Sequence, residues 1–290
     1  GRPAPLLRAD LMLRAVALPA GEHEIRFVYR DPTVTLGLAL FLSNLYMVLF
    51  GTGKFIGETD RSDLSKQTIY GIWDTGFPLG DWNETANTLS RITGAKLLEQ
   101  TQVDFRFYGN HYLRTLSDET ADWAAQNADG SIASGEHLGW YFDLPMDIGN
   151  DGTLDGERVI KDVIIRDGNL IVITFTPDSS PCTGGGTSMV MEMDACDGSR
   201  LSLPQFDINM DGVIDKNDLI EIPDPDNTGQ TIWVPPTGKG YDGLLHPPII
   251  LTMPNKTVEM KVFSSSAGTT ERLFEKAEGG FYYWEEYRAP

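Results

Sequence analysis

Residues 159–177 read VIKDVIIRDGNLIVITFTP, two runs rich in β-branched residues around the turn Arg166-Asp167-Gly168-Asn169. An Asp-Gly pair flanked by such runs is a strong short-range hairpin signal, because these residues tolerate the positive φ that a tight hairpin turn demands. The same punctuation recurs outward from it. Towards the C-terminus, TSMVMEMDACDG at 187–198 is a strand running into a turn, PIILTM and TVEMKVFSSS form a final hairpin, and the aromatic tail FYYWEEY follows. Towards the N-terminus, LGWYFDLP at 138–145, TIYGIWDTG at 68–76 and the apolar run LYMVLF at 45–50 read as strands, and residues 5–30 hold two or three more around the turn PAGE. Residues 77–137 are polar and irregular, with one helical stretch expected near Asn83 to Thr101, and the proline-rich residues 221–248 read as a long loop. The expected class is all-β, with no helix longer than about four turns.

Three strands end alike, at Ile72-Trp73-Asp74, Tyr141-Phe142-Asp143 and Glu192-Met193-Asp194. Repeats of this kind close the blades of β-propellers, and they also fit half-buried strands of any β domain. The chain has 290 residues, 41% of them hydrophobic, enough for a packed core in one large β domain or two smaller ones. Its 42 acidic residues against 23 basic ones give a net charge of -19. No basic patch breaks that balance, which argues against nucleic acid as a partner and suits cation binding outside the cell. The longest apolar run, Val34 to Phe50, is interrupted by Gly37, Ser43 and Asn44, so no stable membrane span is expected. The chain opens on Gly1 without a signal peptide, as a processed protein or a piece of a longer one does.

The two cysteines, Cys182 and Cys196, invite a disulfide in a secreted chain. The intervening strand Thr187–Met193 separates its ends by about 20 Å, and residues 183–186 fold back only part of that distance. A bridge needs Cα atoms within about 7 Å. Two separate thiols, either of them pairing with another part of a longer chain, remain the alternative.

The sharpest chemical signal is FDINMDGVIDKNDL at 206–219. Asp207, Asn209 and Asp211 alternate, Gly212 follows, and Asp215 and Asp218 close the series. Calcium takes six to eight oxygen ligands, and side chains at alternate positions of a curled loop converge on one point. Gly212 permits the sharp turn, Val213 offers a backbone carbonyl, Asp215 a direct or water-mediated contact, and Asp218 the closing carboxylate. An Asp there in place of the usual EF-hand Glu is shorter and closes the loop more tightly, as in dockerin-type loops. A bound Ca2+ would also neutralise the crowded carboxylates and order the proline-rich stretch that follows. DIGNDGTLDGE at 147–157 is a weaker version: Asp147, Asp151 and Asp155 recur with Gly152 in the matching place, but Gly149 offers no side chain and an acidic loop insertion is the favoured reading. GTGKF at 51–55 lacks the spacing of a phosphate-binding loop, GGGTSM at 184–189 is no nucleophile elbow, and His23, His111, His137 and His246 lack metal-ligand spacing. No catalytic set emerges.

FGTGKFIGETDRSDLSKQTIYGIWDTG at 50–76, GWYFDLP, and GERVIKDVIIRDGNLIVITFTPDSSPCTGGGTSMVMEMDACDGSRL, with the closing YYWEEY, resemble in order the C-terminal domain of the PilY-type type IV pilus factors. The resemblance covers about Leu45 to Tyr287. It implies a modified β-propeller of antiparallel blades, of which roughly half is present, and an EF-hand-like calcium site on Asp207, Asn209, Asp211, Val213 and Asp215. It also implies a place at the cell surface or pilus tip, a part in pilus assembly, twitching motility and surface adhesion, and as partners minor pilins and a surface or host receptor. Residues 1–43 depart from that pattern and are similar to a β-rich segment of YfhO-like membrane proteins, so the chain divides into 1–43 and 44–290. Two other classes stay in view. A quinoprotein-type dehydrogenase propeller needs regularly repeated tryptophan blade motifs, to which only DACDG at 194–198 comes near. A dockerin-like scaffolding module needs two calcium repeats on paired helices.

Overall fold

The computed structural model describes residues 46–74, 96–126, 132–134, 137–150, 152–178, 185–225, 227–252 and 258–276, with short backbone segments at 7–8, 14–15, 24–30, 82–83, 88–89 and 281–287. The strands begin with β1 (Leu7–Arg8), β2 (Arg14–Ala15), β3 (Glu24–Arg30), β4 (Tyr46–Gly51), β5 (Thr68–Asp74), β6 (Trp82–Asn83), β7 (Thr88–Leu89), β8 (Lys96–Gln100), β9 (Gln102–Tyr108), β10 (His111–Leu116), β11 (Ala125–Gln126) and β12 (Ile132–Ser134). They continue with β13 (His137–Asp143), β14 (Arg158–Val159), β15 (Ile164–Arg166), β16 (Asn169–Pro177), β17 (Gly186–Asp194), β18 (Ile220–Pro223), β19 (Thr231–Val234), β20 (Gly238–Asp242), β21 (Ile249–Thr252), β22 (Val258–Ser264), β23 (Thr270–Lys276) and β24 (Phe281–Tyr287). The chain is all-β: among the described residues the only helical turns are short 3-10 segments at Glu58–Ser62 and Lys216–Asp218.

The hairpin at 159–177 forms as its turn chemistry dictates. Asp167 and Gly168 take φ of 51° and 90°, both positive as a two-residue hairpin turn requires, and Ile164, Ile165 and Arg166 pair with Ile171, Leu170 and Asn169. β16 then pairs along its whole length with β17, from Asn169 opposite Asp194 to Pro177 opposite Gly186. These two strands are central to a seven-stranded sheet in the order β14-β16-β17-β20-β10-β9, with β15 also on β16. A four-stranded sheet β4-β5-β13-β8 and a three-stranded sheet β21-β22-β23 accompany it, and β3 pairs with β24. No sheet closes on itself among the described residues.

The long apolar runs of β16 and β17 have a simple cause: both faces of this sheet are buried. Ile171, Ile173 and Val190 point into one core with Phe206, Ile208, Ile220, Ile222, Val234 and Phe263. Their neighbours Leu170, Val172, Met189, Met191 and Met193 point into a second core with Ile69, Trp140 and Phe142 of the four-stranded sheet. Each such side chain contributes roughly 1.5–3 kcal/mol by leaving water.

Two sequence expectations are overturned. The helix expected near Asn83 to Thr101 gives way to β6, β7 and β8 wherever that stretch is described, and β8 lies parallel to β13. The long loop expected at 221–248 contains β18, β19 and β20, and β20 sits inside the main sheet between β17 and β10. Its sequence GKGYD has poor strand propensity, and pairing on both sides overrides that. Gly238 is needed there for closeness, since a Cβ would meet the Met189 sulfur at 2.9 Å. Cys196 is a free thiol, while Cys182 and most of the Val34–Phe50 run lie outside the described residues. No helix among the described residues is long and apolar enough to cross a membrane.

One ionic cluster sits in the first core. Lys261 on β22, wholly buried, donates to Glu192 on β17 and to Glu275 on β23. Two carboxylates around one ammonium leave an excess negative charge away from water, and burial with Glu192 nearby pushes the Glu275 carboxyl up, to about 9. The folded state therefore holds a proton that the unfolded chain releases above its ordinary value of 4.5. That stability is complete below the unfolded pKa and is lost as pH rises through the folded one. Urea denaturation between pH 6 and 9 should show stability falling with pH, and Glu275→Gln should flatten the slope. Lys261→Met, which removes the donor to both carboxyl groups and leaves the buried Glu192 without its cation, should cost about 3–5 kcal/mol. An unchanged slope in Glu275→Gln would count against this assignment.

Candidate metal centre

The loop 207–218 is pinned to the core at both ends. Phe206 and Ile208 enter the first hydrophobic cluster before it, and Ile220 and Ile222 of β18 enter the same cluster after it. Between those anchors the chain must turn sharply. Met210 and Gly212 take φ of 62° and 82°. Glycine suits the second position because a Cβ there would strain the backbone even though nothing lies within 4 Å of it.

The Asp and Asn side chains singled out by spacing hydrogen-bond to the loop's own backbone. Asp207 accepts from the Gly212 N–H through Oδ2 at 2.9 Å, Asn209 Oδ1 from Asp211 N–H at 2.9 Å, and Asp211 Oδ1 from Val213 N–H at 2.8 Å. Asp215 caps the 3-10 turn by accepting from Asn217 N–H at 2.7 Å. Asp218, wholly buried, clamps the loop shut: Oδ1 takes the Ile208 N–H and Oδ2 the Asp215 N–H, each at 2.9 Å. Burial pushes its carboxyl above the usual range, with backbone N–H donors acting in the opposite sense. Val213 keeps its side chain exposed.

One oxygen in this network is unsatisfied. Asp207 is 9% exposed and its Oδ1 is buried without a hydrogen-bond partner. A bare buried carboxylate oxygen is costly unless a donor or a cation meets it. The neighbouring Lys239, itself buried, brings its ammonium 3.5 Å from the Asp207 backbone oxygen rather than to the carboxylate. The available donors are carboxylates, an amide and backbone carbonyls, the hard oxygen set that calcium or magnesium takes. No three His, Cys, Asp or Glu side chains stand close enough together to hold a metal among the described residues. Their carboxylates are engaged by backbone N–H groups, and any cation would draw on Asn209 and a carbonyl as well.

The segment 147–157 repeats the first half of this arrangement, although Gly149 stands in the place of Asn209. Asp147 Oδ2 accepts from Gly152 N–H at 2.7 Å, the same five-residue step as Asp207 to Gly212. Asn150 and Gly152 have φ of 52° and 86°, in the places of Met210 and Gly212. Asp155 Oδ2 takes the Ile148 N–H at 2.8 Å. Asp151 lies outside the described residues. Of the histidines, His137 accepts from Asp122 N–H, His111 lies 3.2 Å from the Gly240 carbonyl, His246 is exposed, and His23 has no described side chain.

Comparison with known proteins bears on the fold. No family model matches the chain. It is 35% identical over 176 residues to the type IV pilus biogenesis factor PilY1 of Pseudomonas aeruginosa. The crystal structure of the C-terminal domain of Pseudomonas aeruginosa PilY1 superposes with a TM-score of 0.55 and 26% identity, covering 88% of this chain and 45% of that one. The chain resembles PilY1 in sequence and in fold. A PilY1 homolog of Xylella fastidiosa is 28% identical over 172 residues. The match takes in 59% of this chain but 14% of the Pseudomonas aeruginosa PilY1, so the chain corresponds to a minor part of that protein. The expected PilY-type resemblance is thus met by PilY1 in sequence and in fold, and all-β architecture is common ground.

Proposed function

We propose that this chain is a calcium-binding part of a type IV pilus biogenesis factor and works at the cell surface by binding rather than by catalysis. The observation that carries the pilus reading is the joint match to PilY1 in sequence and in three dimensions. In this reading the separate antiparallel sheets are blades of a partial propeller, and the surface supports pilus assembly, twitching and adhesion through minor pilins or a surface receptor. The pairing of β3 with β24, which brings early and late parts of the chain together, supports such an arrangement. The loop leaves into strand β18, which sets it apart from the helix-flanked loops of a dockerin.

The calcium reading rests on the spacing of Asp207, Asn209, Asp211, Val213, Asp215 and Asp218 and on the unsatisfied buried oxygen of Asp207. Those residues would hold Ca2+, with Val213 contributing its carbonyl. The ion would neutralise four aspartates held within one short loop that offers only Lys216 against them.

Two experiments test these parts separately. Calorimetry should show one Ca2+ bound per chain, and Asp211→Ala, at an exposed position, should abolish it while the variant still unfolds cooperatively in chelator. Equal affinity in that variant would remove the loop from consideration. For the pilus reading, a Pseudomonas aeruginosa strain lacking PilY1 should regain surface pili when given PilY1 with its matching stretch replaced by this chain. A hybrid that reaches the surface and restores none would contradict it.

A further inference from the structure

A second site lies away from the metal loop. Between β9–β10, β20 and the turn at 267–271 is a cavity of about 460 Å³. Its wall on β9–β10 is aromatic. Phe105 and Tyr112 stack with centroids 5.2 Å apart and planes 5° from parallel, and Phe107 meets Tyr112 edge-on at 5.1 Å. Phe107 and Tyr112 remain 61% and 50% exposed, an unusual amount of aromatic surface to leave in water. Tyr241 lines the opposite side, and its buried hydroxyl has no hydrogen-bond partner.

The charge of the lining is one-sided. Asp242 and Glu271 line the cavity, and neither carboxylate has a hydrogen bond or ion pair among the described residues. The lining's one arginine, Arg114, is committed to Glu157 through two hydrogen bonds of 2.9 and 2.7 Å, both side chains buried. His111 is held below its ordinary pKa by burial and then by nearby Lys239, so it adds no positive charge at neutral pH. The protein already places cations near two rings of this wall: the Arg114 guanidinium lies 5.9 Å from the Phe105 centroid and the Lys239 ammonium 6.0 Å from that of Tyr241. The exposed ring surface of Phe107 and Tyr112 belongs to aromatic rings with the same quadrupole.

We propose that this cavity receives a basic side chain, arginine or lysine, presented by another polypeptide, with the ring faces of Phe107 and Tyr112 as its platform and Asp242 and Glu271 as its counter-charges. The acidic balance of the whole chain, -19, draws such a partner in at long range. The inference needs neither the calcium site nor the pilus reading.

The probe is a capped Gly-Arg-Gly peptide, titrated into the whole chain while aromatic and backbone resonances are followed by NMR. A capped Gly-Lys-Gly peptide should bind at the same place. Shifts should be confined to β9, β10, β20 and the 267–271 turn. Phe107→Ala, at an exposed position, should weaken binding about tenfold, as should Asp242→Asn with Glu271→Gln. The isosteric citrulline peptide, neutral in place of charged, should not bind detectably. Citrulline binding as well as arginine would overturn the proposal, as would binding that survives loss of both carboxylates. Binding of a neutral methyl glucoside at this site, independent of the carboxylates, would assign it to sugars and equally overturn it. Absence of any shift with the arginine and lysine peptides would remove it altogether.

Discussion

Two buried arginines act through the tetrapeptide Gly156-Glu157-Arg158-Val159: Arg114 braces the seven-stranded sheet from within, and Arg158 ties that sheet to the segment between β4 and β5. Arg114 on β10 is 0% exposed and pairs with Glu157, which also accepts from Thr174 on β16. Arg158, equally buried, has no carboxylate to itself. Its guanidinium donates to the carbonyls of Lys54, Asp60, Asp63 and Gly156. Five donors in a fixed fork make arginine suited to gathering carbonyls that would otherwise be buried unpaired. The 54–63 excursion between β4 and β5 is thereby tied to the main sheet, and Val159 N–H adds a bond to Thr52 at 2.9 Å. Removing either arginine would leave buried oxygens with no donor, so the main sheet and the 54–63 excursion depend on this one strip.

That strip also explains why the landmarks in the sequence travel together. FGTGKF and GERV are some hundred residues apart on the chain, yet they meet: Lys54 offers its carbonyl to the Arg158 guanidinium and Thr52 its carbonyl to the Val159 N–H. The relationship to PilY1 was legible because such residues are tightly constrained and keep their order. Strands whose chemistry is local were legible for the same reason. The Asp167-Gly168 turn dictates its hairpin, and the β-branched runs of β16 and β17 fill two cores at once.

Where the reading of the sequence went astray, long-range pairing decides the structure. Gly238–Asp242 carries no alternation to betray a strand, and it becomes one because β17 and β10 offer hydrogen bonds on either side. Lys96–Gln100 has a composition that suits a helix, and its parallel partner β13 draws it into a sheet. The loop 207–218 was legible as a candidate ligand series from spacing alone. Its clamp by Asp218 and the unsatisfied oxygen of Asp207 were not, since both depend on how Phe206 and Ile208 are seated in the core. Nor does any motif mark the aromatic cavity, which is assembled from residues scattered between Phe105 and Glu271.

The placement of β20 narrows what a bound cation can do. It is fixed in the main sheet by neighbours on both sides, so calcium has little left to order there. The segments free to respond are the loop itself and the two-stranded pair β18–β19, joined to it through Ile220 and lying outside the main sheet. Because an ion that binds the ordered loop more tightly shifts the population towards order, its effect should stop at that pair. Amide hydrogen exchange over residues 205–250, compared in calcium and in chelator, tests this directly. The account predicts slower exchange with calcium in 207–218 and in β18–β19, and unchanged protection in β20. Equal protection throughout in the two conditions would contradict it.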